Sequence, residues 1–489
     1  MTKGGALGLG LLALIGLIHL PYPFHGDQAL FMIYAQALDS GRALYADVWD
    51  VKQPGIYLLF WLSGKLFGFS EQGAHLLELV YLLAASYFMT RTAPFRRPWL
   101  LPLCLYGTYY ASAAWQELTQ VEILVSPLIY FCFWAAWRKD ERPWVMWCAG
   151  LAVGFVALLK LALAPIPAAV LLVGTRSAAA WLRVALGAAA VWIPVAAWLA
   201  RHDALGWMLW TTLSYPGESI RFRGMNSPVQ LLQSLRWFAV HFLPWVIAAA
   251  FAAPLVWKDR RSPMIRALVV WIAMAAASIT AQVISWWPYH FLLLMPPVAV
   301  LAMMAMDRLP GRWPVAAALA GLLIFTPQML RKVRPLTWGA LTGNPTASVR
   351  YQNAVSPTYA EVWKNTGFLR ASDARPGPMF VFGTPLYLWL TGRRQEPGLD
   401  GWGVQFHVPS QWRTFTEDLR RTRPVYVFAQ ADSGALARQR WPEAMAVLDE
   451  DYRVKETSSA GTWYELSTPS AAETQIGKQP MQIVGVKAQ

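Results

Sequence analysis

The chain has 489 residues, of which 56% are hydrophobic and only 14% charged, and its mean hydropathy is +0.33. A soluble domain carries roughly 25% charged residues, so this composition excludes an ordinary water-soluble enzyme. The net charge of +14 fits the accumulation of Lys and Arg in the cytoplasmic loops of membrane proteins, and no basic segment carries a nucleic-acid reading motif, which excludes a nucleic-acid partner.

Lys3 precedes an apolar run, Leu7 to Leu20, with no small-x-small site after it, which predicts a retained first span rather than a cleaved leader. With this first segment at 5–21, others follow at 71–90, 98–114, 120–137, 143–159, 161–175, 184–200, 237–257, 265–286, 288–306 and 313–330. A crossing needs about 20 apolar residues, so about eleven transmembrane helices are expected. Residues 54–69, "PGIYLLFWLSGKLFGF", are short and interrupted by Lys65. If they lie flat, anchored by Tyr57, Trp61 and Lys65, then Lys3, Arg91/Arg96/Arg97, Arg138/Lys139/Arg142, Arg176/Arg183, Lys258/Arg260/Arg261 and Arg308/Arg312 all share one side. The positive-inside rule makes that side the cytoplasm. The N-terminus is then inside, the C-terminus outside, and residues 22–70 form a long first outer loop. Cys104, Cys132 and Cys148 sit inside apolar blocks and have neither disulfide nor metal spacing.

After residue 330 the composition changes. "PMFVFG" (378–383) and "RPVYVFA" (423–429) read as buried strands, 359–372 and 412–422 have helical periodicity, and 452–466 reads as a hairpin. The expected organisation is a membrane domain over 1–330, a small α/β domain on the outer face over 331–467, and a disordered polar tail over 468–489.

Charged residues gather in the outer segments. Asp27 fits a helix N-cap or a functional acid. Asp47, Asp50 and Lys52 fit a solvated loop, yet Lys52 runs straight into Pro54-Gly55 and stands at headgroup height. "TQVE" (119–122) fits a capping box with Thr119 as cap and Glu122 at the third helical position, and Glu117 reads as a solvated loop acid. Lys160 lies between two apolar segments, where lysine commonly snorkels. His290, after Tyr289 in "WWPYHFLLLMPP", fits an interfacial hydrogen-bonder or a ligand-contacting group. Charges at a membrane edge point to function. The carboxylates and the histidine are also the donor types that share a divalent cation, although no spacing demands one.

In this order the segments resemble a family. "ALYADVWDVKQPGIYLLFWLSGKLFGFSE" after an outer-loop Asp, "LTQVEILVSPLIYF", "GLAVGFVALLKLAL" and "YHFLLLMPPVAVLA" are similar to motifs of the GT-C fold membrane glycosyltransferases. The nearest group is the dolichyl-phosphate-mannose–protein mannosyltransferase-like family, which includes the lipid A aminoarabinose transferases. The family's first pair is Asp-Glu, here Asp27-Gln28; its Asp-x-Lys-Pro-Pro is here Asp50-Val51-Lys52-Gln53-Pro54.

The resemblance implies transfer of a hexose or pentose from a polyprenyl-phosphate carrier to a glycan, lipid or protein acceptor at the outer face of a bacterial inner membrane. It implies Asp27 as catalytic base, and Asp47, Asp50, Lys52, Glu122, Lys160, Tyr289 and His290 as the substrate-binding set. Two other classes stay open. A lipid or sugar-lipid transporter would carry polar groups near the bilayer midplane in repeated halves, whereas the spans here are apolar in their middles and no repeat is visible. A non-catalytic sugar-lipid-binding subunit would keep the same fold.

Overall fold

A computed structural model describes residues 2–113 and 117–467; the expected tail at 468–489 lies outside them. The chain packs as two compact units. One comprises Met1–Tyr22, Lys52–Trp198 and Met225–Leu341, the other Pro23–Val51, Leu199–Gly224 and Thr342–Gln489. Sequence order alone places a single boundary at 331. Packing draws 23–51 and 199–224 into the unit that holds the C-terminal domain.

The first unit is helical. Among the described residues, Glu71–Thr92, Val121–Arg138, Ala178–Arg201, Pro263–Ala281 and Pro288–Met306 are long and apolar enough to cross a membrane. Two bent pairs raise the number to seven: Pro228–His241 with Leu243–Ala250, at 86°, and Trp313–Leu323 with Thr326–Val333, at 55°. Pro244 and Pro327 stand at these breaks, where a missing N–H and the ring's clash with the preceding turn stop a helix. Each of the eleven expected segments is helical over most of its described length, and the five helices and two bent pairs named above are those long and apolar enough to cross among the described residues. Pro54–Phe67 is a separate 14-residue helix, about 21 Å long at 1.5 Å per residue, too short for a 30 Å core. Its Lys65 ammonium lies 6.0 Å from the centre of the Trp61 ring, an arrangement suited to an interface. The basic loops pair with one another. Arg96 N–H donates to Asp307 at 3.1 Å and Arg97 to the Gly311 carbonyl at 2.5 Å. Arg176 N–H donates to Glu141 at 2.6 Å.

The second unit is built on a four-stranded sheet: β1 (Met379–Phe382), β2 (Tyr426–Gln430), β3 (Tyr452–Ser458) and β4 (Gly461–Leu466), in the order β1-β2-β4-β3. β1 and β2 run parallel, and the expected terminal hairpin is the antiparallel β3–β4 pair. Phe380, Phe382, Val427 and Leu466 form its core with Trp412, Phe415 and Leu419 of the helix Pro409–Thr422. Those helix positions, i, i+3 and i+7, make one face.

The first-loop segment joins this unit through Trp49. Its N–H donates to the Gly398 carbonyl at 3.0 Å, its indole donates to Thr211 at 2.9 Å, and its ring meets His407 edge-on at 5.8 Å. Residues 201–236, rich in Gly and Pro, are largely helical. Tyr215 and Ser219 tie that segment to the Phe406 carbonyl, at 2.8 and 3.1 Å.

His407 is fully buried, and burial pushes its imidazole down to about 4 from the ordinary 6.5. Between those values the unfolded chain binds a proton that the folded chain does not, so stability falls as pH drops through this window. At pH 5 the loss approaches about 2 kcal/mol, at 1.36 kcal/mol per pKa unit. His407→Gln, neutral throughout, is expected to lose less unfolding temperature than the native chain between pH 7 and pH 5. Equal losses would contradict this.

Candidate functional site

In the first unit, Glu122, Lys160 and His290 come together. Glu122 is 1% exposed, on the short helix Val121–Leu124. Lys160 Nζ donates to its Oε1 at 2.7 Å, and His290 Nε2 lies 3.8 Å from the same oxygen and 3.4 Å from Nζ. The Tyr289 ring stands edge-on to His290 at 4.7 Å.

Lys160 occupies the C-cap of Pro143–Leu159 in an extended conformation, so it is an ion-pair partner rather than a snorkelling anchor. The capping-box reading of 119–122 is also corrected. Gln120 is the N-cap, without a side-chain bond, and the Thr119 hydroxyl donates to Glu78 instead. Glu117, expected in solvent, is 0% exposed.

Lys52 stands near enough for its charge, like that of Lys160, to reach His290. Gly55 makes this approach available. A Cβ there would sit 2.6 Å from the Leu158 carbonyl oxygen, so only glycine lets the start of Pro54–Phe67 lie against the end of Pro143–Leu159, two residues before Lys160. Lysine ammonium groups beside a histidine are donors of the kind that bind an anion.

In the second unit, Asp27 is 5% exposed in the first turn of Gly26–Asp39. Its Oδ1 accepts the Trp402 indole N–H at 2.8 Å. The Trp402 ring lies so close to Gly26 that a Cβ would come within 2.7 Å of it. The N-cap reading of Asp27 does not hold. His25 is the N-cap, and its N–H donates to Gln28 Oε1 at 2.5 Å. Capping requires only an acceptor oxygen, which the Gln28 amide supplies.

Asp50 and Asp400 are buried, and each binds one nearby N–H: Val51 at 2.6 Å and Gly403 at 2.8 Å. Their charges add to burial in raising the Tyr34 and Tyr215 hydroxyls above their ordinary value. Asp47 is exposed and accepts the Ala43 N–H at 2.6 Å, stapling its own loop.

Sequence reasoning misses Trp402, Asp400, Glu78 and Lys332. Lys332 is buried, with Nζ 2.6 and 3.1 Å from the Ala113 and Tyr110 carbonyls and 2.9 Å from His19 Nε2. Glu78 carries the one available signal, a carboxylate well inside an apolar helix. Trp402 and Asp400 carry none. Among the described residues no group of three or more His, Cys, Asp or Glu is arranged to hold a metal ion, so the shared-cation option has no fitted ligand set.

No protein-family model and no curated protein matches the sequence. Solved structures do. ArnT from Cupriavidus metallidurans bound to undecaprenyl phosphate superposes with a TM-score of 0.62 at 13% identity, covering 95% of this chain and 98% of that one. The apo state of ArnT gives 0.57 at 14% identity, covering 94% and 97%. The chain has the GT-C fold of ArnT. The ArnT-like fold accounts for both a bundle of apolar helices and a small sheet near the C-terminus, and it makes the chain a membrane protein. The transport alternative draws no support from these neighbours.

Proposed function

We propose that the chain is a glycosyltransferase that moves a sugar from a polyprenyl-phosphate carrier to an acceptor at the outer face of the membrane. The observation that carries this reading is a fold followed over 95% of the chain in a protein bound to undecaprenyl phosphate. The local chemistry agrees. A sugar leaves a lipid phosphate as negative charge builds on the phosphate oxygens, and fixed cations stabilise that charge. Lys52 and Lys160 are such cations, His290 stands beside Lys160 as a hydrogen-bonding group, and Glu122 holds Lys160 in place. An apolar groove of about 320 Å³, lined by Phe88, Leu128, Phe131 and Phe155, can take part of a prenyl chain. The acceptor hydroxyl must lose a proton as it attacks the anomeric carbon, and Asp27, oriented by Trp402, takes it. Direct attack inverts the anomeric centre. The remaining carboxylates of the first loop and Tyr289 orient sugar hydroxyls.

Two outcomes follow. Undecaprenyl phosphate added to the purified chain in nanodiscs is expected to raise its unfolding midpoint, by about 2.7 kcal/mol of stabilisation at a hundredfold excess over Kd. No shift at saturating lipid would remove the carrier from the reading. The C-terminal unit is expected outside the membrane, so a reporter fused after residue 335 is active only there. Cytoplasmic activity would overturn the topology.

A further inference from the structure

Glu78 lies well inside the 22-residue helix Glu71–Thr92 and is 1% exposed, yet the transfer chemistry gives it no task. Burying a carboxylate in such a helix is costly, and carboxylates kept there mark function. Its Oε2 accepts the Thr119 hydroxyl, and Tyr109 and Tyr110 stand around the same carboxylate.

Thr119 has φ of 53°. A β-branched residue is a genuine outlier in the left-handed region, so the surroundings must hold it there. Two contacts do so: the hydroxyl to Glu78, and the Thr119 N–H, which donates to the Tyr109 hydroxyl at 3.1 Å. Tyr109 in turn donates to the Glu117 carbonyl at 3.2 Å. Gln120 follows as N-cap, and two residues later Glu122 meets Lys160 at 2.7 Å. A relaxation of residue 119 to ordinary φ would turn the entry of Val121–Leu124 and carry Glu122 off the lysine.

We propose that Glu78 is a positioning residue, which by fixing Thr119 in the left-handed conformation aims Glu122 at Lys160. Its meaning for catalysis rests on the glycosyl-transfer reading; the geometry it asserts does not.

The test is the acylation rate of Lys160 by an N-hydroxysuccinimide acetate reagent, in the full chain in nanodiscs. The rate is read by peptide mass spectrometry against the exposed Lys258. A lysine held by a carboxylate reacts slowly. Thr119→Val, isosteric but without the hydroxyl, and Glu78→Ala are expected to raise the relative rate about tenfold, the scale of losing one hydrogen bond to a charged group. Thr119→Ser and Glu78→Gln keep a bond and are expected to stay within about twofold of the native rate. A purely structural role would not separate Ser from Val in this readout. An unchanged Lys160 rate in a folded Thr119→Val chain would overturn the proposal, as would equal rates in Thr119→Ser and Thr119→Val. Undecaprenyl phosphate binding by the native chain, measured in the same nanodiscs, tests the transfer reading separately. Its failure beside a Thr119→Val response would sink that reading and leave the positioning role standing.

Discussion

Asp27→Asn is expected to abolish transfer, lowering the rate about 10²- to 10⁴-fold, the range for loss of a general base, while leaving expression and carrier binding close to native. The amide oxygen can still accept the Trp402 indole N–H that Asp27 Oδ1 accepts at 2.8 Å. The helix keeps its start, because the His25 N–H is bound by Gln28 and not by Asp27. The substitution therefore removes a proton acceptor while keeping both of these contacts. The measurement is single-turnover transfer from a polyprenyl-phosphate-linked sugar, alongside the unfolding midpoint. Near-native turnover in a folded Asp27→Asn chain would deny Asp27 the role of base. A lowered midpoint with native turnover would leave it a structural acid only.

Lys52→Ala is expected to weaken undecaprenyl phosphate binding about 10- to 100-fold, the range of a hydrogen bond between charged groups, and to slow the chemical step as well. A fixed cation meets charge on the carrier phosphate in the ground state and more of it in the transition state. Lys52→Arg is expected to restore part of this, since a planar fork does not replace a compact ammonium. Lys160, held by Glu122 at 2.7 Å, remains in Lys52→Ala and accounts for residual binding. An interfacial anchor would behave differently: Arg would restore function fully, and Ala would leave carrier affinity unchanged.

The apolar segments are legible in the sequence because a run of about 20 greasy residues has few other uses. The interfacial helix Pro54–Phe67 is legible only jointly, from its length, Lys65 and the one-sided basic loops. The hairpin Tyr452–Leu466 shows itself by its turn between two apolar-alternating stretches. Lys52, Glu122, Lys160 and His290 can be nominated as charges beside apolar runs, but their meeting cannot. Lys160 and His290 are 130 positions apart, and Gly55 gains its purpose only from Leu158. Asp27 and Trp402 are 375 positions apart, and no period or spacing links them. Local rules misjudge 119–122 for a related reason. "TQVE" satisfies a capping box in isolation, but Glu78 and Lys160 claim its Thr119 and Glu122 side chains from elsewhere in the unit. Likewise the segment 201–236 has the Gly and Pro content of a loop, yet Trp210 and Tyr215 pack against Trp49 and make it helical.

In the proposed reading this ArnT-like fold grips a lipid-linked phosphate with Lys52 and Lys160, beside His290. A structure of the chain in nanodiscs with undecaprenyl phosphate tests it most directly. The account predicts density for the phosphate within hydrogen-bond distance, about 2.7–3.2 Å, of Lys52 Nζ, with the prenyl chain running into the bilayer beside the helices. A phosphate seated away from Lys52, Lys160 and His290, or no ordered lipid at saturating concentration, would contradict it.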